Sequence, residues 1–163
     1  MYAAIILCGI GIDQLTKLIA VKHLKPVGSV PIIKGVFHFT FTTNDGMAFG
    51  MLDDQRWIFM SVSTIMIGVL MYLLFAGKLE NKLYTVSVSM IISGGIGNMI
   101  DRIALGEVVD FIHFKLINFA IFNIADSIVC IGAGLLVLAL VKDIVNESKN
   151  NNTGTGGEKD DNV

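Results

Sequence analysis

Four long stretches of apolar residues constrain what this chain can fold into. They cover about residues 3–21, 57–76, 83–100 and 124–141, and the second contains no charged residue. Because roughly 20 helical residues cross the hydrocarbon core of a bilayer, each stretch predicts a transmembrane helix. Charged residues make up 16% of the chain, against about 25% in an ordinary soluble domain. We therefore predict an all-α integral membrane protein with four transmembrane helices.

The segment between the first two apolar stretches has a different pattern. Phe37, Phe39 and Phe41 alternate with polar residues, which is the period of a half-buried strand. Proline and glycine residues before them are typical of turns. Because the open edge of a sheet cannot face lipid, this β-rich loop, about residues 26–49, is expected at the membrane interface or outside the bilayer.

The remaining sequence features concern the domain bounds, the C-terminal tail, the cysteines and the net charge. We predict a single domain over residues 1–145 and a disordered tail over residues 146–163, which is polar and lacks aromatic residues. Cys8 and Cys130 lie in apolar runs, without the spacing of a metal site or a disulfide framework. The net charge of −2 gives no sign of a nucleic-acid partner.

The first apolar stretch contains polar residues that are energetically unfavourable inside a membrane. A charged residue at the centre of a transmembrane helix costs about 2.5–3.5 kcal/mol, so such residues usually face the bundle interior and are candidates for function. Asp13, Thr16 and Lys17 are spaced i, i+3 and i+4, which puts them on one helical face. The plainer interpretation is a self-neutralising pair that anchors the first helix.

A second polar stripe lies at the end of the third apolar stretch. Gly94, Asn98, Asp101 and Arg102 fall at i, i+4, i+7 and i+8. Glycine allows another helix to approach closely, and charges at a helix end can reach the membrane surface. Packing therefore explains the glycine and Arg102, but it explains Asn98 poorly.

Two carboxylates stand near one membrane face. Asp110 is flanked by apolar residues, and Asp126 would be the third helical residue if Asn123 caps the fourth helix. The helix dipole favours a carboxylate at that position, so Asp126 alone could be an ordinary capping acid. A close pair of carboxyls would share one proton, and would then supply both the base and the acid that amide hydrolysis requires. The spacing leaves open whether the two meet.

Five blocks containing these residues occur in a characteristic order. They are DQLTK at 13–17, NDGMAF at 44–49, GGIGNMIDR at 94–102, VDF at 109–111 and FNIADS at 122–127. Together they resemble the five blocks of the lipoprotein signal peptidases (type II signal peptidases), a family of four-helix intramembrane aspartic peptidases.

The resemblance implies a role for each matching residue. Asp110 and Asp126 correspond to the catalytic pair, and Asp13 and Lys17 to a structural pair in the first helix. Polar residues that line the site and engage substrate correspond to Asn44, Gly46, Asn98, Arg102 and Asn123. The implied substrates are bacterial prolipoproteins whose cysteine carries diacylglycerol, with the cut just before that cysteine. The resemblance implies no metal and no other cofactor, and the antibiotic globomycin is expected to block the site.

The resemblance also implies a location. It places the protein in the bacterial cytoplasmic membrane as a monomer whose other partners are lipids, with both termini in the cytoplasm. The β-rich loop and the active site then lie on the extracytoplasmic side. The charge distribution is slightly against this orientation, because lysine and arginine should be enriched on the cytoplasmic side. Five basic residues would lie inside, namely Lys78, Lys82, Lys142, Lys149 and Lys159, and six outside, namely Lys22, Lys25, Lys34, Arg56, Arg102 and Lys115.

Two alternative functions are a membrane transporter and a structural scaffold. A small proton-coupled membrane transporter could use Asp13, Asp101 and Asp126 as a proton relay. However, the most polar cluster lies at one membrane face, whereas transporter sites lie near the midplane. A purely structural scaffold would not explain why two carboxylates lie at one membrane face beside Asn98 and Asn123.

Overall fold

The computed structural model describes residues 1–44, 56–79 and 81–154, and these form four α-helices and a small β-sheet. In chain order the elements are α1 (Tyr2–His23), β1 (Ser29–Ile33), β2 (Phe37–Asn44), α2 (Arg56–Phe75), α3 (Lys82–Ala104), β3 (Val108–Phe114) and α4 (Ile124–Gly154). One 3₁₀ turn, Lys115–Ile117, follows β3.

Three helices in the described part of the chain are long and apolar enough to cross a membrane. They are Tyr2–His23, Lys82–Ala104 and the Ile124–Asn150 portion of α4. The apolar stretch described in α2, Met60–Phe75, is shorter. The predicted class, a mostly helical membrane protein with a small sheet, is confirmed at this level, and the count of four spans stays a prediction.

Helix α3 lies at the centre of the bundle and contacts the other three helices. A Cβ atom added at Gly97 would lie 2.6 Å from the Asp13 carboxylate, and one at Gly94 would collide with the carbonyl oxygen of Ala125. These glycines therefore allow α1 and α4 to approach α3 closely. Farther along the bundle, an apolar core includes Ile6, Leu74, Val88 and Ile92.

The sheet is antiparallel in the order β1-β2-β3. The strand that the alternating phenylalanines predict is present as β2. Strand β3 was not predicted. It belongs to the connection between α3 and α4, and it pairs Asp110 with Thr42 of β2. Val109 and Phe111 of β3 pack with Ala20 of α1, so the sheet is fixed against the C-terminal end of α1.

The end of α4 differs from the prediction. Disorder was expected from Asn146, but the helix continues to Gly154. Extending an existing helix fixes one more residue for each added hydrogen bond, so the polar sequence after Val145 can continue a helix that the apolar span has already nucleated. Residues 155–163 of the predicted tail, and residues 45–49 of the predicted β-rich loop, lie outside the described residues.

Candidate active site

The N-terminus of α4 is closed by a reciprocal cap. The Asn123 side-chain oxygen accepts a hydrogen bond from the Asp126 N–H at 2.9 Å, and the Asp126 Oδ2 accepts one from the Asn123 N–H at 3.1 Å. This is the geometry of a capping box, with aspartate at the third helical position. The cap holds the Asp126 carboxylate where the helix dipole favours a negative charge.

Asp110 reaches the same asparagine from the sheet. The Asn123 Nδ2 donates to Asp110 Oδ1 at 2.7 Å, and the Asn44 Nδ2 donates to Asp110 Oδ2 at 3.5 Å. Asn123 and Asp110 are both buried. The structure therefore brings the carboxyls of the two aspartates, which are 16 residues apart and on different elements, to a single asparagine residue.

The environment of Asp110 changes its acidity. Burial raises the pKa of Asp110 from 3.8 to about 6, and the negative charge of Asp126 acts in the same direction. The hydrogen bonds from Asn123 and Asn44 and the charge of Lys17 oppose the increase. Asp110 is therefore a carboxyl group that holds its proton at a much higher pH than an exposed aspartate does.

Asn98 extends the polar cluster onto α3. Its Nδ2 donates to Asp126 Oδ1 at 2.7 Å, while its Oδ1 accepts from Asn123 Nδ2 at 3.0 Å. Arg102, one turn later and half-buried, makes a long hydrogen bond of 3.5 Å to the Asn98 carbonyl oxygen. Asn98 thus touches both the asparagine and the aspartate at the start of α4.

Asp13 and Lys17 lie directly against this cluster. The Lys17 ammonium is 2.9 Å from Asp13 Oδ2 and 3.0 Å from Asp101 Oδ2, and it donates to Asn98 Oδ1 at 2.9 Å. Asp13 Oδ1 accepts from the N–H of Ala125 at 2.9 Å. The predicted pair is therefore present, and it joins α1 to α3 and α4 as well as neutralising itself.

Two residues of the network had no predicted role in a peptidase. Asp101 Oδ2 accepts from the Val109 N–H at 3.1 Å, which fixes the strand that carries Asp110. Gln14 donates to Asp101 Oδ1 at 3.0 Å and to the Gly97 carbonyl oxygen at 3.1 Å. Asp101 lay on the polar stripe, and Gln14 lay inside the first block, so the sequence did mark both positions.

Eight of the nine predicted site residues lie in the described part of the chain. Asn44 ends β2 beside Asp110, as described above. Gly46 lies outside the described residues. Each of the other predicted site residues belongs to the one connected cluster at the sheet end of α1, α3 and α4.

The order and spacing of these residues match a known family along most of the chain. The family profile described as Signal peptidase (SPase) II matches residues 5–142. The chain belongs to the signal peptidase II family. Membership leaves the transporter and scaffold alternatives without support, because neither accounts for a match of this length.

Curated relatives agree with the family assignment. The chain is 46% identical over 125 residues to the lipoprotein signal peptidase of Caldanaerobacter subterraneus subsp. tengcongensis, covering 77% of this chain and 85% of the relative. It is 41% identical over 146 residues to that of Clostridium tetani, covering 88% of this chain and 94% of the relative. That of Brevibacillus brevis is 41% identical over 135 residues, with 82% and 90% covered.

Solved structures share the fold of this signal peptidase II family member. One bacterial membrane enzyme, solved by the in meso method at 2.3 Å resolution, superposes with a TM-score of 0.80 at 32% identity, over 99% of this chain and 93% of the other. A second, at 1.9 Å resolution, gives a TM-score of 0.78 at 35% identity over 87% and 93%. The chain is therefore a multi-pass bacterial membrane protein by family and by fold.

Proposed function

We propose that this protein is an aspartic endopeptidase that removes signal peptides from diacylglyceryl-modified prolipoproteins, with Asp110 and Asp126 as its catalytic pair. The observation that carries the proposal is the pair of carboxyls bound by one buried asparagine, Asn123, whose Nδ2 donates to Asp110 and whose backbone N–H donates to Asp126. The curated relatives are named lipoprotein signal peptidases, which supports a prolipoprotein as the substrate. A pair of carboxyls can supply both the base and the acid that hydrolysis of an amide needs.

The two carboxyls differ in a way that suggests their roles. Asp126 accepts hydrogen bonds from the Asn98 Nδ2 and the Asn123 N–H, so both of its oxygens act as acceptors in the structure. Burial raises the pKa of Asp110 to about 6, which favours the protonated form. Asp126 is therefore the proposed general base, and Asp110 the proposed general acid.

The proton transfers then balance over one turnover. Asp126 takes a proton from a water molecule, whose oxygen bonds to the carbonyl carbon. Asp110 gives its proton to the carbonyl oxygen, so that charge does not build up there. When the C–N bond breaks, the protonated Asp126 supplies the proton of the leaving amine, and Asp110 recovers a proton from the new hydroxyl. Both groups return to their starting states.

Substrate binding is assigned to the polar residues around the pair. The described residues accept one long hydrogen bond from Arg102, although a guanidinium carries five N–H donors. Arg102 can therefore bind a main-chain carbonyl or a lipid ester of the substrate. Asn44, Gly46, Asn98 and Asn123 complete the proposed binding residues.

The proposed orientation follows from where the site lies along the helices. The cluster uses the C-terminal parts of α1 and α3 and the N-terminal turn of α4. Helix α2 has 20 residues, enough for about 30 Å, the thickness of the hydrocarbon core. With four spans both chain termini lie on the face opposite the site, which is the cytoplasmic face of the bacterial inner membrane in this proposal. The acyl chains of a substrate would stay in the bilayer while the bond beside its lipidated cysteine reaches the site.

Cleavage by purified protein tests the proposal. The full chain in detergent is mixed with a precursor peptide that carries a diacylglyceryl cysteine, and the products are identified by mass spectrometry. The expected product begins with the lipidated cysteine, and globomycin should prevent its formation. The same peptide without the lipid is the control and should remain uncut. A lipidated peptide that stays intact, or one that is cut elsewhere, would overturn the proposal.

A further inference from the structure

Lys17 is a buried ammonium group with a complete set of partners. Its side chain is only 4% exposed, and an ammonium has three N–H donors. Its three close acceptors are Asp13 Oδ2, Asp101 Oδ2 and Asn98 Oδ1, all at 2.9–3.0 Å. Two of these contacts compensate the buried positive charge. The third contact, with a neutral amide, is not needed for that purpose.

The third contact decides which way the Asn98 amide points. The Asn98 Oδ1 accepts hydrogen bonds from Lys17 and Asn123, and the Asn98 Nδ2 donates to Asp126 Oδ1 at 2.7 Å. Turning the amide over would place NH₂ against the ammonium and the oxygen against a carboxylate. Both of those contacts are repulsive, because an ammonium has no acceptor and an ionised carboxylate has no donor.

We infer that Lys17 is a positioning residue of the catalytic pair: its ammonium fixes the orientation of the Asn98 amide, and thereby directs the amide NH₂ to Asp126. The inference rests on the proposed function, in which Asp126 is the general base. It goes beyond neutralisation of Asp13, because it makes the rate of hydrolysis depend on Lys17 through Asn98.

Without the ammonium, one directing contact remains on the Asn98 oxygen. That contact comes from Asn123, whose NH₂ also donates to Asp110 Oδ1 at 2.7 Å and lies 3.4 Å from the Val109 carbonyl oxygen. Three acceptors compete for the two protons of that NH₂ group, so this contact is weaker than the contact with the ammonium. Without Lys17 the Asn98 amide would therefore turn more often, and Asp126 would lose a donor for part of the time.

A double-mutant cycle on kcat separates this role from a structural one. Lys17→Met should lower kcat per folded molecule by about 5- to 150-fold, the effect of losing one buried hydrogen bond, with KM nearly unchanged. In an Asn98→Ala background the same substitution should change kcat less than about 3-fold, since coupled residues are not additive. In an Asn44→Ala background, which removes a hydrogen bond to Asp110, the full loss should remain.

A separate variant, Ser93→Ala, controls for a loss of stability alone. Ser93→Ala removes a buried hydrogen bond of 3.1 Å to the Ile6 carbonyl oxygen, so it weakens the same α1–α3 contact away from the site. It should lower Tm but leave kcat per folded molecule unchanged. If Lys17→Met does not fold, because Asp13 and Asp101 then face each other without a cation, Asp13→Asn with Lys17→Met replaces it. Asp13→Asn alone is the reference for that variant.

A second measurement does not depend on activity. With ¹⁵N-labelled asparagine, the side-chain amide signal of Asn98 is identified by its loss in Asn98→Ala. In Lys17→Met that signal should shift and exchange faster with solvent, while the signal of the exposed Asn118 stays in place. Equal losses of kcat in the Asn98→Ala and Asn44→Ala backgrounds, or an unchanged Asn98 signal, would overturn the inference. A wild-type protein that cuts nothing would refute the proposed function, and the amide signal would still decide the role of Lys17.

Discussion

Replacing Asp110 by asparagine should stabilise the protein, whereas replacing Asp126 by asparagine should destabilise it. Asp110 is buried, and the charged form of its carboxyl is disfavoured, as its pKa of about 6 shows. Asp110→Asn removes that charge, and the new amide can still present an oxygen to the Asn123 Nδ2. The other Asp110 oxygen has a donor only at 3.5 Å, the Asn44 Nδ2. Both Asp126 oxygens accept shorter hydrogen bonds, from the Asn98 Nδ2 at 2.7 Å and the Asn123 N–H at 3.1 Å. Asp126→Asn turns one of those oxygens into an NH₂ group that faces a donor.

The size of each effect follows from these contacts. Raising the pKa of Asp110 from 3.8 to about 6 corresponds to at most about 3 kcal/mol at pH 7, at about 1.4 kcal/mol for each pKa unit. Burying a neutral amide also costs free energy, which offsets part of this gain. We therefore expect Asp110→Asn to increase the free energy of unfolding by about 1–2 kcal/mol. For a chain of this length that raises Tm by about 2–8 °C. Asp126→Asn should cost about 1–3 kcal/mol for an orphaned donor, and it loses a favourable charge at the helix N-terminus.

Thermal unfolding in one detergent, over a range of pH, tests this asymmetry. The advantage of Asp110→Asn should be complete above about pH 6 and should disappear as the pH falls toward about 4. The sign follows because the folded wild type binds the Asp110 proton more tightly than the unfolded chain does, so wild-type stability is lost as the pH rises through the folded pKa. Equal destabilisation by both substitutions would refute the assignment of different environments. A gain for Asp110→Asn that does not depend on pH would show that charge is not its cause.

Three further predictions concern other parts of the molecule. With Cys8 and Cys130 replaced by alanine, a cysteine at the exposed Lys34 should react with an impermeant thiol reagent added to intact cells, and one at the exposed Lys78 should react only after the membrane is opened; the reverse pattern would invert the orientation. Arg102→Ala should lower kcat/KM by about 5- to 150-fold and weaken inhibition by globomycin, whereas normal activity per folded molecule with a lower Tm would limit Arg102 to a structural role. Removing residues 146–163 should leave cleavage nearly unchanged, because residues 146–150 of α4 are exposed, and a large loss at normal expression would show that this end of the helix takes part in function.

The sequence could predict elements whose signals are local. The apolar stretches mark the helices because each must cover its own backbone in lipid, and the alternating phenylalanines mark β2 because side chains alternate along a strand. Asn123 as the cap of α4 was predictable for the same reason, since a cap is formed within four residues. The glycine at 94 was correctly interpreted as a point of close helix packing.

The parts that depend on distant residues could not be predicted in this way. Strand β3 has the β-branched and aromatic residues of a strand, but its partner is β2, about 70 residues earlier in the chain. The contacts of Lys17 with Asn98 and Asp101 span more than 80 residues. Spacing alone suggested only the local pair with Asp13, because helical periodicity carries no information on which other helix a face will meet. The meeting of Asp110 and Asp126 was predicted through the family resemblance.

The central claim is that Asp110 and Asp126 together perform the hydrolysis. The most direct measurement is the cleavage rate of the diacylglyceryl precursor by wild type, Asp110→Asn and Asp126→Asn, each scaled to the amount of folded, membrane-inserted protein. The account predicts cleavage before the lipidated cysteine by the wild type and no detectable turnover by either variant, even though Asp110→Asn should be the more stable protein. Substantial turnover by either variant would contradict the assignment of the catalytic pair.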